Sequence, residues 1–221
     1  MSTHLTKQKS IVVLISGIGT NLQAIIDAVA DGRINATIAA VISNREHAAG
    51  LERARAAGFT THFIDPRRFS DRDAYDQQLI DCIDSHAPDL IVLAGYMRIL
   101  GDAFIRHYAG RILNIHPSLL PALKGLHTHR RALEAGLKRH GASVHFVSNE
   151  LDSGPVVIQA EAPVLAADTE SSLAARVLER EHDIYPLAIG WFVDGRLEYS
   201  GDRILLDHKP LTEPLIWNPD N

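Results

Sequence analysis

The chain has 221 residues, of which 46% are hydrophobic and 22% are charged, a composition typical of one globular domain. Lys and Arg number 22 and Asp and Glu 27, so the net charge of −5 lacks the cationic excess that extended nucleic-acid binding requires. Because the only cysteine, Cys82, cannot form an internal disulfide and the first apolar run, Ile11 to Ile15, is far shorter than a membrane span of ~20 residues, we expect a cytoplasmic protein that binds no membrane.

The first half of the chain alternates predicted strands with predicted helices. The strands cover residues 11–15, 37–43, 60–64, 89–94 and 111–116, and the helices cover residues 20–31, 47–57, 73–86 and 102–108. The run from Ile11 to Ile15 is apolar at every position, as in a strand buried on both faces of a parallel sheet. Thr20 and Gln23 have capping-box spacing at the start of the first helix. This order predicts an α/β fold with a doubly wound, mainly parallel sheet.

The second half of the chain has a different order of predicted elements. A loop containing Pro, Gly and His extends to Thr128, a short helix to Gly136, and two strands follow at residues 142–148 and 155–163 as a hairpin. A long helix begins at Thr169, and short strands with a loose tail come after Gly195. We therefore expect an antiparallel C-terminal extension, one domain over residues 1–221, and flexibility in residues 1–10.

The first candidate site is the glycine turn Ser16-Gly17-Ile18-Gly19-Thr20-Asn21. Its amides and the N-terminus of the next helix could hold an anion, and phosphate is the expected guest. Position 22 is Leu22 where a dinucleotide fingerprint has a third glycine, and the turn lacks the Gly-Lys of a triphosphate loop. The alternative for such a turn is a simple connection between strand and helix.

The second candidate is Asn114-Ile115-His116 at the end of a predicted strand. Residues two apart on a strand point the same way, so Asn114 and His116 would share one side while Ile115 packs on the other. Ligands of open α/β sheets bind at the carboxyl ends of strands, which favours a substrate site here. The alternative is a histidine that is merely hydrogen-bonded at a strand terminus.

The third candidate is the turn around Asp152, Glu150-Leu151-Asp152-Ser153-Gly154-Pro155, which joins the hairpin strands. A structural role for Asp152 in the turn is the first interpretation. A carboxylate brought beside His116 would instead hold an imidazolium and take up a proton, as acyl transfer to an amine requires. His127 and His129 lack the further ligands of a zinc site, so no metal is expected.

With these motifs in order, the chain resembles the glycinamide ribonucleotide formyltransferases, folate-dependent enzymes of purine synthesis. The resemblance runs from about Ile11 to about Arg196 and departs from the family pattern at Ile18 and at Ala122-Leu123. The motifs that carry it are Ser-Gly-x-Gly-Thr-Asn-Leu at 16–22, Ala-Gly-Tyr-Met-Arg-Ile-Leu at 94–100, Asn-Ile-His-Pro-Ser-Leu-Leu-Pro at 114–121, Gly-Leu-His-Thr-His at 125–129, Leu-Asp-Ser-Gly-Pro at 151–155 and Glu-His-x-x-Tyr-Pro at 181–186.

The resemblance implies a Rossmann-like formyltransferase fold and a reaction in which the amine of glycinamide ribonucleotide takes the formyl group of the co-substrate 10-formyltetrahydrofolate. It implies catalytic roles for Asn114, His116 and Asp152, with residues 11–110 binding phosphate and residues 111–200 carrying the folate and catalytic functions. The implied glycinamide ribonucleotide contacts are Gly19, Thr20, Asn21 and Glu181. The implied folate contacts are Arg72, Met97, Arg98, Ile99, Leu100, Asn114, Ser148 and Asp152.

Two other functions stay open on the sequence. One is a different folate enzyme, which would transfer the formyl group to another acceptor or hydrolyse it, because the Asn-x-His-Pro-Ser and Asp-x-Gly-Pro motifs are shared by such relatives. The other is a non-catalytic nucleotide-binding module built on the glycine turn. The implied partners are small-molecule substrates, with a monomer or a homodimer as the expected state.

Overall fold

The computed structural model describes residues 8–200 and 203–218. Residues 1–7, which include most of the segment expected to be flexible, lie outside the described residues. The strands are β1 (Lys9–Ile15), β2 (Ala36–Ser43), β3 (Thr61–Phe63), β4 (Leu90–Leu93), β5 (Ile112–His116), β6 (Arg139–Phe146), β7 (Val156–Pro163), β8 (Leu197–Ser200), β9 (Arg203–Leu206), β10 (Lys209–Pro210) and β11 (Leu215–Trp217).

The helices follow the predicted alternation. They are α1 (Thr20–Ala30), α2 (Ala49–Ala56), α3 (Arg72–Asp84), α4 (Asp102–His107), α5 (Thr128–Glu134) and α6 (Glu170–Val193), with a short 3-10 helix at Pro66–Arg68. The longest, α6, continues through Pro186. Within the described ranges, no helix is both long enough and apolar enough to cross a membrane.

Eight strands form the main sheet in the order β11-β7-β6-β5-β4-β1-β2-β3. Five neighbouring strands, in the order β3-β2-β1-β4-β5, pair in parallel, whereas β6 is antiparallel to both β5 and β7. The chain extends the sheet from β1 to one side with β2 and then crosses to the other side with β4. This reversal of direction is where open α/β sheets bind ligands, at the carboxyl ends of their strands.

Helices cover both faces of the sheet, and β1 shows why. Its residues alternate between the two hydrophobic cores: Ile11, Val13 and Ile15 belong to one, and Val12 and Leu14 to the other, all of them fully buried. Side chains along a strand point alternately to opposite faces, so a strand covered on both sides must be apolar throughout. The doubly wound, mainly parallel sheet predicted from the sequence is confirmed.

The antiparallel C-terminal extension is also confirmed, since β8, β9 and β10 form a separate antiparallel sheet. The expected loose tail was wrong for Leu215–Trp217. These residues form β11, which pairs in parallel with β7 and becomes an edge of the main sheet. The short strand has no alternating pattern of its own, and its place depends on a partner more than fifty residues earlier in the chain.

Candidate active site

Strand β5 and the turn between β6 and β7 bring the three predicted catalytic side chains together. Asn114 and His116 lie near the carboxyl end of β5, and the Nδ1 atom of His116 is 3.4 Å from Oδ2 of Asp152. Both side chains of this pair are more than nine-tenths buried. Asp152 has φ 48°, a left-handed conformation that its turn imposes, and Oδ2 accepts a hydrogen bond from the Gly125 amide at 2.9 Å.

Both ring nitrogens of His116 face acceptor oxygens. Nε2 lies 3.1 Å from the carbonyl oxygen of Leu123, and Nδ1 faces Asp152. A carbonyl oxygen can only accept, so Nε2 carries a proton. On the other side, Nδ1 faces the carboxylate of Asp152, a group that can accept a hydrogen bond from it.

His145 joins the same network, and the sequence analysis missed it. It lies directly opposite Asn114 in the β5–β6 pairing, and its Nε2 atom is 3.0 Å from Nδ2 of Asn114. Its Nδ1 atom donates to the carbonyl oxygen of Phe146 at 2.9 Å, so Nε2 accepts from the Asn114 amide.

Burial lowers the pKa of His145 to about 4, against the opposing effects of the Phe146 carbonyl and Asp152. His145 is therefore neutral at pH 7, and its 3.9 Å approach to Asp152 is not an ion pair. One N–H of Asn114 is committed to His145, and the other stays available for a ligand. A histidine between the buried apolar residues Val144 and Phe146 was the signal for this residue, and the strand pairing was needed to interpret it.

The glycine turn leaves the N-terminus of α1 without a side-chain cap. The expected capping box of Thr20 and Gln23 was wrong: the residue before the helix is Gly19, with φ 77°, and no side chain bonds to the first amides. A Cβ at position 19 would lie 2.7 Å from Cα of Gly50, so the turn also requires glycine for space. The uncapped amides at this N-terminus suit an anion.

Helix α6 places Glu181 against this turn. Its Oε2 atom accepts a hydrogen bond from Nδ2 of Asn21 at 2.6 Å, and both residues are 8% exposed. Burial raises the pKa of Glu181, while the bond from Asn21 lowers it. The Oδ1 atom of Asn21 is buried and has no hydrogen-bond partner among the described residues. One turn further along α6, the Tyr185 hydroxyl contacts the carbonyl oxygens of Leu93 and Leu113 at 2.9 Å each, which fixes α6 against β4 and β5.

A cleft opens beside Asn114 and Asp152, between the segment after β4 and the turn after β6. Its lining includes six of the eight predicted folate contacts, and Asn114 and Asp152 are two of these six. The lining residues are Leu93, Tyr96, Arg98, Ile99, Leu100, Ile105, Asn114, His145, Val147, Ser148, Asn149, Glu150, Leu151 and Asp152. Its mixed apolar and polar wall suits a flat heteroaromatic ring with hydrogen-bonding edges.

Two of the predicted folate contacts lie outside this lining. Met97 has a side chain that is largely exposed, and its amide donates to Oγ of Ser16 at 2.7 Å, which ties the segment to the glycine turn. Arg72 is exposed at the start of α3, and its Cδ atom lies near Gly101. Arg98 stacks over the ring of Tyr75 at 4.3 Å, an arrangement that holds the backbone of this segment in place.

His127 is the last residue of the loop between β5 and α5, and His129 lies in the first turn of α5. His127 is exposed and precedes α5 with φ 58°, whereas Nδ1 of His129 is 3.2 Å from Nε2 of His140. Burial lowers the pKa of both His129 and His140, the latter to about 4.

Comparison with known proteins agrees with this geometry. Residues 9–189 match the sequence profile of the formyl transferase family. The chain is 58% identical over 202 residues, 91% of its length and 95% of the relative's, to phosphoribosylglycinamide formyltransferase of Escherichia coli. The corresponding enzyme of Haemophilus influenzae is 50% identical, covering 92% of this chain and 96% of that protein.

A solved structure gives the same result in three dimensions. The phosphoribosylglycinamide formyltransferase of Coxiella burnetii aligns with a TM-score of 0.92 and 49% identity over 96% of this chain and 100% of that one. The profile match covers most of the chain, and the relatives are aligned over nearly their full length. This chain belongs to the formyl transferase family.

Proposed function

We propose that this chain transfers the formyl group of 10-formyltetrahydrofolate to the primary amine of glycinamide ribonucleotide, the reaction of purine biosynthesis for which its relatives are named. The products are formylglycinamide ribonucleotide and tetrahydrofolate. The observation that carries the proposal is the junction of Asn114, His116 and Asp152 in one network between the cleft and the uncapped turn at Gly19. A non-catalytic nucleotide module has no use for this junction.

The glycine turn binds the phosphate of glycinamide ribonucleotide. The amides at Gly19, Thr20 and Asn21 lie at the N-terminus of α1, where unpaired N–H groups and the helix dipole both favour an anion. Glu181 and Oδ1 of Asn21 are acceptors beside this turn and suit hydroxyl or amide donors of the same substrate. An acceptor that is buried without a partner gains a full hydrogen bond when the substrate supplies the donor.

The cleft holds the folate. Ile99 and Leu100 form part of its apolar wall, and Ser148 and Asp152 offer polar groups on the opposite side. The exposed guanidinium of Arg72 lies at the start of α3, near Gly101, and is placed to meet the acidic tail of the folate outside the cleft. The formyl group enters beside Asn114, which lines the same cleft.

Asn114 and His116 stabilise the negative charge that develops on the formyl oxygen when the amine attacks. The second N–H of Asn114 is available because His145 takes only the first. His116, oriented by the Asp152 carboxylate, supplies the second donor. Once the substrate oxygen has taken its place, donors held in this way require no further reorganisation during the reaction, and loss of one donor typically slows it by about 10²–10³-fold.

The reaction also moves one proton. A bond forms between the amine nitrogen and the formyl carbon, the bond from that carbon to the folate nitrogen breaks, and the amine proton ends on the folate nitrogen. Asp152 accepts and returns this proton through water, and its contact with His116 holds the carboxylate in position. The network contains only nitrogen and oxygen groups, and the chemistry derived from it requires no metal.

His116 must exchange a partner before it can donate to the substrate. Its Nε2 atom bonds to the Leu123 carbonyl, and Leu123 itself has φ 56°, an uncommon conformation for a residue other than glycine. The substrate oxygen therefore replaces the Leu123 carbonyl as the acceptor, which requires a local movement of the loop between β5 and α5. Ala122-Leu123 is one of the places where this sequence departs from its family.

The test is to follow release of tetrahydrofolate by the purified chain with and without glycinamide ribonucleotide. We expect release only when the ribonucleotide is present, with one formyl group recovered on it for each folate consumed. Equal release without the ribonucleotide would identify a hydrolase and would contradict the proposal. For its partners, we predict small-molecule substrates and no nucleic acid. For its oligomeric state, we predict a monomer or a homodimer.

A further inference from the structure

Away from the active site, strand β3 and the end of α3 bring together three side chains of the types that bind transition metals. One ring nitrogen of His62, one ring nitrogen of His86 and the sulfur of Cys82 all lie within 4.8 Å of one another. All three residues are half-buried. Within residues 8–200 and 203–218, this is the one group of His, Cys, Asp or Glu side chains with such spacing.

The local structure explains this convergence. Cys82 lies in the last turn of α3 and His86 four residues later, a spacing that places both on one side of the helix end. His62 is in the middle of β3, the edge strand, and Cys82 packs against the core on the α3 face of the sheet. The C-terminal end of a helix carries a partial negative charge, which favours a cation near it.

The two imidazoles now share a proton where an ion would sit. Their Nε2 atoms are 2.9 Å apart, so one donates and the other accepts, and the ring centroids are 5.1 Å apart. Burial lowers the pKa of His62, and the charge of His86 lowers it further. Two imidazole rings whose Nε2 atoms converge at 2.9 Å can bind one metal ion through those atoms.

We propose that His62, Cys82 and His86 form a three-ligand site for a divalent ion of the zinc class, with water as the fourth ligand. Tetrahedral Zn²⁺ with bonds of ~2.0–2.1 Å to nitrogen separates two such nitrogens by about 3.3 Å, and a bond of ~2.3 Å to sulfur sets the sulfur-to-nitrogen separation at about 3.6 Å. The two nitrogens need to move apart by under ~0.5 Å, and rotation of the Cys82 side chain brings its sulfur to the required distance from them. On binding, the proton on Nε2 of the donating ring is exchanged through solvent for a proton on Nδ1 of the same ring, so that both Nε2 atoms can bind the ion, and the thiol proton is released to solvent, because the thiolate is the ligand.

The site is separate from formyl transfer. His62 pairs with Ile42, Ile42 with Leu14, Leu14 with Leu93 and Leu93 with Asn114, a row of four strand-to-strand steps across the sheet. At ~4.8 Å per step these two positions are about 19 Å apart. The ion therefore has a structural role, holding the edge strand β3 to the end of α3, and its presence is independent of the proposed activity.

Titration of the chelator-treated full-length protein with Co²⁺, a spectroscopic substitute for Zn²⁺, tests the site. We expect one equivalent to produce the ligand-field bands of tetrahedral Co²⁺ and a thiolate-to-metal charge-transfer band, both removed when Zn²⁺ is added. Cys82→Ser removes the charge-transfer band. His62→Ala and His86→Ala weaken binding by more than the roughly 10–100-fold that loss of an outer-sphere partner costs.

A matched control comes from His47, whose side chain is 93% exposed. His47→Ala leaves both band types and the stoichiometry unchanged. Absence of a charge-transfer band in the parent protein, or equal Co²⁺ binding in Cys82→Ser, would overturn the proposal. Circular dichroism of each variant, with Cys82→Ala as the second cysteine variant, separates loss of the site from loss of the fold. Formyl transfer by the same samples is a separate readout that either result leaves unaffected.

Discussion

The side-chain amide of Asn114 is hydrogen-bonded to a neutral histidine on the neighbouring strand, and this bond fixes the orientation of the amide in the active site. His145 bonds to the Phe146 carbonyl with one nitrogen and accepts from Asn114 with the other, at 2.9 and 3.0 Å. A protonated ring could not accept, so the lowered pKa of His145, about 4, keeps the bond intact at neutral pH. His145 is in this respect a positioning residue for Asn114.

His145→Leu should therefore reduce kcat by about tenfold, because the lost bond is worth ~0.5–1.5 kcal/mol and ~1.4 kcal/mol corresponds to a factor of ten. The KM for glycinamide ribonucleotide should stay the same, since His145 contacts Asn114 and not the glycine turn. His145→Gln should recover part of kcat, because its amide can accept from Asn114. Steady-state kinetics of both variants provide the check, and a change confined to KM would show that His145 does not position Asn114.

Glu181 provides a second residue-scale prediction, for stability. Burial raises the pKa of Glu181 in the folded protein above the ~4.3 of the unfolded chain. The folded protein therefore loses stability as the pH rises from the unfolded pKa through the folded pKa, because the buried carboxyl group ionises. Glu181→Gln lacks the cost and should melt at a higher temperature at pH 8, by about 2–4 °C for each kcal/mol of relief. Below pH 4 both forms are neutral and the difference should disappear.

Thermal unfolding of both proteins from pH 4 to pH 8 measures this effect. In the same samples, Glu181→Gln should bind glycinamide ribonucleotide more weakly than the parent protein does, because the substrate loses a charged acceptor. A variant that is less stable at pH 8 would mean that the bond from Asn21 outweighs the burial of the carboxylate.

At the scale of elements, the strand–turn–helix unit of β1 and α1 builds the phosphate site by leaving a helix end uncapped. The Gly19 conformation, with φ 77°, and the close approach of Gly50 both depend on glycine at position 19. Gly17 lies in the same turn, but a Cβ there would meet nothing within 4 Å. The two glycines therefore make a matched pair.

Gly19→Ala should destabilise the protein by about 1 kcal/mol or more, because alanine is strained at positive φ and its Cβ would lie 2.7 Å from Cα of Gly50. It should also raise the KM for glycinamide ribonucleotide through displacement of the Thr20 and Asn21 amides. Gly17→Ala should change neither quantity. Urea unfolding and steady-state kinetics measure both, and equal behaviour of the two variants would place the phosphate elsewhere.

The sequence predicted most elements because β1, β2 and β4 contain continuous apolar runs and alternate with helices of clear periodicity. The start of α1 was harder to interpret. A Thr–Gln spacing suggested a side-chain cap, whereas the left-handed conformation of Gly19 makes that glycine the residue that precedes the helix. Local pattern cannot separate these two cases, because they differ only in the backbone angle of one residue. Strand β11 was missed for a different reason, since its three residues are ordered by pairing with β7.

At the scale of the whole molecule, sheet order and register bring distant segments together. Asn114 and His116 could be placed on one side of a strand by periodicity alone, and Asp152 could be assigned to them through the family resemblance. The pairing of Asn114 with His145 depends on the register between β5 and β6, which no local pattern contains. The same holds for Asn21 and Glu181, separated by 160 positions in the chain, and for the cluster of His62, Cys82 and His86.

Removal of metal ions tests whether the proposed metal site at His62, Cys82 and His86 is independent of formyl transfer. Formyl transfer should proceed at an unchanged rate after exhaustive chelation, because the catalytic network consists of an amide, an imidazole and a carboxylate, about 19 Å from His62 along the sheet. The measurement is kcat before and after dialysis against EDTA, with and without added Zn²⁺. Activity that is lost with EDTA and restored by zinc would show that a metal takes part in the reaction.

The central claim is that Asn114, His116 and Asp152 act on charge and protons during the reaction and contribute little to substrate binding. Single-turnover formyl transfer with excess enzyme measures the chemical step, and calorimetric titration of glycinamide ribonucleotide into the same proteins measures binding separately. The account predicts that Asn114→Ala slows transfer by about 10²–10³-fold, that Asp152→Asn loses most of the activity, and that both bind the ribonucleotide as tightly as the parent protein. A single-turnover rate close to that of the parent protein in either variant would contradict it.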